Sequence, residues 1–112
     1  MVTPPEEFSI SVTERDGVVH VALTGELDLA TAPELEELLD ERLGAGQEVV
    51  IDLRGLQFMD SSGVRVLVAG HAQASRGGTR LELVRPQRGS AVAKIVEVSG
   101  LDGELHFIDA PD

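Results

Sequence analysis

Along this chain the apolar residues first alternate, then recur in threes and fours, and the two patterns take turns. From Phe8 to Glu14, Phe8, Ile10 and Val12 alternate with polar positions, the period of a half-buried strand. Asp16-Gly17 marks a two-residue hairpin, because a primed turn needs positive φ at both central positions. The return strand, Val18 to Thr24, puts Val19, Val21 and Leu23 on one face and Val18, His20 and Ala22 on the other. Gly25-Glu26-Leu27-Asp28 reads as the exit from that strand. Thr31-Ala32-Pro33-Glu34 matches a capping box with proline in the first turn. The helix behind it turns Leu35, Leu38, Leu39 and Leu43 inward and stops at Gly44.

Val49-Val50-Ile51-Asp52-Leu53 is almost continuously apolar, as expected of a central strand covered on both faces. A connecting stretch, Gln57-Phe58-Met59-Asp60-Ser61-Ser62-Gly63-Val64, delivers it to a helix with Val64, Leu67, Val68, His71 and Ala72 at helical spacing. Gly77-Gly78 closes that helix, and Thr79 to Val84 alternates through Leu81 and Leu83. Pro86 introduces a third helix with Val92, Ile95 and Val96 inward and Gly100 at its end. Glu104 to Ile108 then makes a short edge strand. The order β-β-α-β-α-β-α-β predicts an α/β fold, a mixed sheet covered by helices. Residues 1–112 make one domain, with 1–7 a frayed lead-in around Pro4-Pro5.

Composition narrows what such a fold can do. Aromatic residues are 3% of the chain against 42% hydrophobic, so Val, Leu, Ile and Ala must fill the core. The absence of cysteine removes disulfides, thiolate metal sites and thiol nucleophiles. No signal-peptide pattern and no bilayer-length apolar run is present, so a soluble cytoplasmic protein without membrane contact is expected. A formal charge of -11, with no basic stripe, opposes nucleic acid and anionic membranes. It suits protein partners with basic patches, or simply keeps the domain in solution.

His20, His71 and His106 fall on separate elements without metal-ligand spacing, and no glycine-rich phosphate loop follows a strand. Asp52 as a phospho-acceptor would need further carboxylates for a divalent cation, and Thr13-Glu14-Arg15 supplies no acidic pair. It reads instead as a strand-end residue satisfying nearby backbone groups. Ser61 or Ser62 as a hydrolytic nucleophile would need a G-x-S-x-G elbow, where the chain has Met59-Asp60-Ser61-Ser62-Gly63. Two local roles stay open for Asp60-Ser61-Ser62. One is a helix cap, the commoner use of these residue types. The other is a serine carrying phosphate where first-turn amides and the helix dipole favour an anion.

Three ordered segments resemble a STAS domain of the bacterial anti-sigma factor antagonist family. They are Thr24-Gly25-Glu26-Leu27-Asp28, then Val50 to Leu53 followed by Phe58-Met59-Asp60-Ser61-Ser62-Gly63-Val64, and lastly Pro86 with Val98-Ser99-Gly100-Leu101. The likeness runs from Phe8 to Ile108. It implies that Ser61 is phosphorylated by an anti-sigma factor serine kinase, which supplies the ATP and Mg²⁺. The unphosphorylated domain would bind that kinase and free a sigma factor, and a PP2C-type phosphatase would reset it. The domain itself would catalyse nothing and hold neither cofactor nor metal. Asp28, Phe58, Met59, Asp60, Ser62, Gly63, Val64 and Arg65 would form the partner-binding rim, with Ser61 also contributing to the cap. The same family includes non-switched scaffolds and transporter-accessory subunits, the alternative role. Many members continue into a helix after the last strand, whereas this chain stops at Asp112, so an apolar patch or a dimer surface is expected where that helix would lie.

Overall fold

A computed structural model describes residues 7–110, so the expected lead-in lies, apart from Glu7, outside the described residues. Strand β1 (Ser9–Arg15) turns back into β2 (Val18–Leu27) through Asp16 and Gly17, whose φ angles of 54° and 80° are those a primed turn requires. Helix α1 (Ala32–Gly44), β3 (Glu48–Met59), α2 (Ser61–Arg76), β4 (Leu81–Val84) and α3 (Ala91–Val98) follow. A single helical turn, α4 (Leu101–Glu104), absent from the sequence expectation, precedes β5 (Phe107–Ile108).

The sheet runs β1-β2-β3-β4-β5, so spatial order follows chain order. β1 is antiparallel to β2, and the remaining pairs are parallel. Each parallel crossover therefore steps one strand further in the same direction. Right-handed crossovers of that kind put every connecting helix on one face. The core agrees: Val21, Leu23, Ile51, Leu53 and Leu83 of the strands form one cluster with Leu35 and Leu39 of α1, Leu67 of α2, and Val92 and Val96 of α3. The opposite face carries Ser11, Thr13, His20, Val50 and Asp52 around a hollow of about 290 Å³. β3 is thus covered by helices on one side, not on both, and Val50 supplies the apolar character of the other. Asp52 lies in mid-strand, not at a strand end, and Arg54 grips both of its carboxylate oxygens, at 3.0 and 2.7 Å. That guanidinium, chiefly through its side-chain hydrogen bonds, holds the Asp52 carboxyl below its ordinary value of 3.8.

Two boundaries differ from expectation, both at glycine. β2 continues to Leu27 and β3 to Met59, because Gly25 and Gly55 are paired within the ladder, with Leu56 and Thr24, each beside a register shift. A Cβ on Gly55 would stand 2.6 Å from the Leu23 carbonyl oxygen, and Gly25 has a φ of 84°. Helix α1 ends at Gly44, as expected, and the left-handed residue that follows is Gly46.

Candidate functional site

Because β2 and β3 are parallel, the loops leaving them emerge at the same end of the sheet. Leu27 pairs with Met59 as the last residue of each strand, and the Asp60 amide donates to the Leu27 carbonyl at 3.1 Å. This bond fixes the start of α2 against the start of the β2–α1 loop. Asp28 and Ser61, 33 residues apart in sequence, are therefore brought to one edge of the molecule.

On the α2 side the cap is Asp60. Its backbone is extended, and its carboxylate Oδ1 accepts from the Ser62 amide at 2.8 Å and the Gly63 amide at 3.4 Å. Ser61 is the first helical residue; it is exposed, and its hydroxyl has no hydrogen-bond partner among the described residues. The expectation that Ser61 shares the capping duty is corrected: one carboxylate oxygen already serves both amides. Those amides are for the same reason not free to hold a phosphate, and the neighbouring carboxylate would turn such a dianion outward.

On the β2 side the expected capping box does not form. The Thr31 hydroxyl accepts from the Asp28 amide at 2.9 Å and donates to the Glu26 carbonyl at 2.9 Å, so it is not available to the α1 amides. Asp28 Oδ1 accepts from the Ala30 and Thr31 amides at 3.0 and 3.2 Å. Asp28 is a turn organiser, its carboxylate committed to its own loop.

The remaining rim residues divide. Phe58 is exposed, Arg65 is exposed, and Ser62 and Val64 are half-buried. Met59 is fully buried and Gly63 is buried, so neither belongs to a docking rim. A Cβ on Gly63 would meet Met59 Cγ at 2.7 Å and Leu27 Cγ at 2.8 Å, which is why glycine stands where α2 crosses the strand ends. Sequence inspection missed Leu29, which is 75% exposed on the loop beside Asp28.

Elsewhere, His106 Nδ1 lies 3.6 Å from Glu82 Oε2. No cluster of three or more His, Cys, Asp or Glu placed to hold a metal occurs among the described residues. None of their helices is long and apolar enough to cross a membrane.

A mixed five-stranded sheet with sequential strand order and helices on one face is the architecture of a STAS-type α/β module, here with an exposed serine opening the helix after the central strand. The family model described as "Mlab, STAS domain" matches residues 10–108, and the chain belongs to that family. Among its relatives, the anti-sigma-F factor antagonist RsfB of Mycobacterium tuberculosis is 29% identical over 102 residues, covering 90% of this chain and 81% of the relative. A crystal structure of an anti-sigma factor antagonist from Mycobacterium paratuberculosis superposes with a TM-score of 0.83 at 28% identity, covering 97% of this chain and 92% of that one. The Bacillus cell fate determinant SpoIIAA, solved in its phosphorylated form, shares the fold with a TM-score of 0.70 at 23% identity, over 95% and 93% of the two chains.

Proposed function

We propose that this chain is an anti-sigma factor antagonist, a binding module and not an enzyme, that docks on an anti-sigma factor serine kinase until Ser61 is phosphorylated. The observation that carries this is the division of labour between Asp60 and Ser61. Asp60 performs the capping, which leaves Ser61 exposed and its hydroxyl without a partner among the described residues. A hydroxyl so placed suits a partner's ATP. Phosphorylation would add about -1.5 to -2 charges beside Asp60 and present them to the docked surface. Like-charge contact and the bulk of the group would then dissociate the complex and return the kinase to its sigma factor. ATP and Mg²⁺ belong to the kinase, and a PP2C-type phosphatase restores the hydroxyl. Kinship with RsfB and the presence of a phosphorylated form of SpoIIAA support the same reading.

Incubation with the purified cognate kinase and Mg-ATP should add one phosphate, mapped by mass spectrometry to Ser61. No phosphate would place the chain with the non-switched STAS scaffolds or transporter-accessory subunits, and a phosphate on another residue would overturn Ser61 as the acceptor. Ser61→Asp should fold normally and bind the kinase about tenfold or more weakly, an effect read directly by calorimetric titration.

A further inference from the structure

The hollow on the helix-free face of the sheet is laid out by strand register. Thr13, His20 and Val50 pair in one row across β1, β2 and β3. Two residues further along β2, Ala22, Asp52, Val84 and Ile108 pair in a second row that reaches β5. Paired residues share a side of the sheet, so both rows face the hollow. Val84 is 2% exposed yet stands outside the cluster packed under the helices, as its place in this row requires. Val50, Ala22, Val84 and Ile108 thus give the hollow an apolar floor.

The charged groups around this floor are of two kinds. Asp52 and Arg54 neutralise each other through the fork already described. Glu48 and Glu82, beyond the His20 end, are each paired at 3.6 Å, with Arg80 and with His106. Arg15 and His20 belong to no ion pair among the described residues. Arg15 ends β1 on the same side as Thr13, two residues away, and both line the hollow. Asp109 lines it too, but follows Ile108 at the diagonally opposite corner of the sheet. In a chain of net charge -11, the hollow therefore offers an unpaired guanidinium at one corner and a carboxylate at the other.

We propose that this hollow binds a small aliphatic monocarboxylate. Its carboxylate would lie on the Arg15 guanidinium, whose planar fork of donors matches it, with His20 and the Thr13 hydroxyl beside it. Its aliphatic body would cross Val50 and Ala22 toward Ile108, directed away from Asp109 by charge. A volume of about 290 Å³ is at the small end of ligand sites, and β1 to β3 spans about 10 Å. A second negative charge on the ligand would find no free guanidinium and would meet the acidity of the chain, which disfavours phosphates and nucleotides. The site lies on the sheet face, whereas Ser61 opens α2 at the strand ends, so it does not depend on Ser61 as the acceptor.

The test titrates the full chain with octanoate, followed by amide NMR shifts, and repeats the titration with octylammonium, the same body with the opposite charge. Octanoate should give saturable shifts at His20, Ala22 and Val50, and octylammonium should not. Arg15→Gln, at an exposed position, should weaken octanoate about tenfold or more through loss of its charge-assisted hydrogen bonds. Ala22→Leu, also exposed, should fill the floor and weaken it likewise, with the unfolding midpoint unchanged. Arg88→Gln on the exposed β4–α3 loop and Ser61→Asp should both match wild type. Absence of saturable shifts, an equal response to the two probes, or undiminished affinity in Arg15→Gln would overturn the proposal. Shifts at the same residues on concentrating the chain without octanoate, together with a dimer in sedimentation, would assign the face to a second copy and likewise overturn it.

Discussion

Asp60 Oδ1 settles what Ser61 is free to do. Residue types alone left Asp60, Ser61 and Ser62 equally eligible to cap α2. What separates them is backbone conformation: Asp60 is extended, while Ser61 already has its place in the helix. Asp60→Ala should therefore cost about 0.5–2 kcal/mol in urea unfolding, whereas Ser61→Ala should stay within about 0.5 kcal/mol of wild type. The reverse ranking would return the cap to Ser61 and remove the freedom on which the switch depends. Phe58 and Met59 show the same limit on reading single residues. They are adjacent and both apolar, yet one is exposed and the other fully buried.

The elements explain why that pair was hard to separate. The alternating positions, the hairpin at Asp16-Gly17 and the leucine spacing of α1 were legible, because each is a short-range pattern repeated several times. The length of β3 was not. Its register against β2 shifts between Ala22 and Thr24 and again between Gly25 and Glu26, so buried positions run Ile51, Leu53, Leu56, Met59 in place of strict alternation. A period-two reading fails at the first of these shifts, just before Gly55. The same strand ends create the tight seat for α2, where Gly63 faces Leu27 and Met59. Gly63→Ala should destabilise by about 1–3 kcal/mol through overpacking, seen as a lower unfolding midpoint. Loss of kinase binding without loss of stability would instead restore Gly63 to the rim.

For the molecule as a whole, charge and topology act separately. The net charge of -11 is read from the sequence at once, but the pairing of Asp52 with Arg54 on the helix-free face needs the sheet. Because Arg54 lowers the Asp52 pKa in the folded state, this pair contributes stability that is present above about pH 3.8 and fades as pH falls through the lower folded value. Asp52→Asn should therefore be less stable than wild type at pH 7, and the gap between their unfolding midpoints should narrow below pH 4. A constant gap would mean that the aspartate acts through packing and not through its charge. Sequential strand order has a different kind of consequence. Each strand finds its partner in the strand just before it, so no pairing has to wait for a distant piece of chain. A nascent chain can add β3 to the β1–β2 hairpin, then β4, then β5, in the order in which the ribosome releases them. The Ser61 edge is complete once β3 and α2 have docked, before β4 and β5 join the sheet.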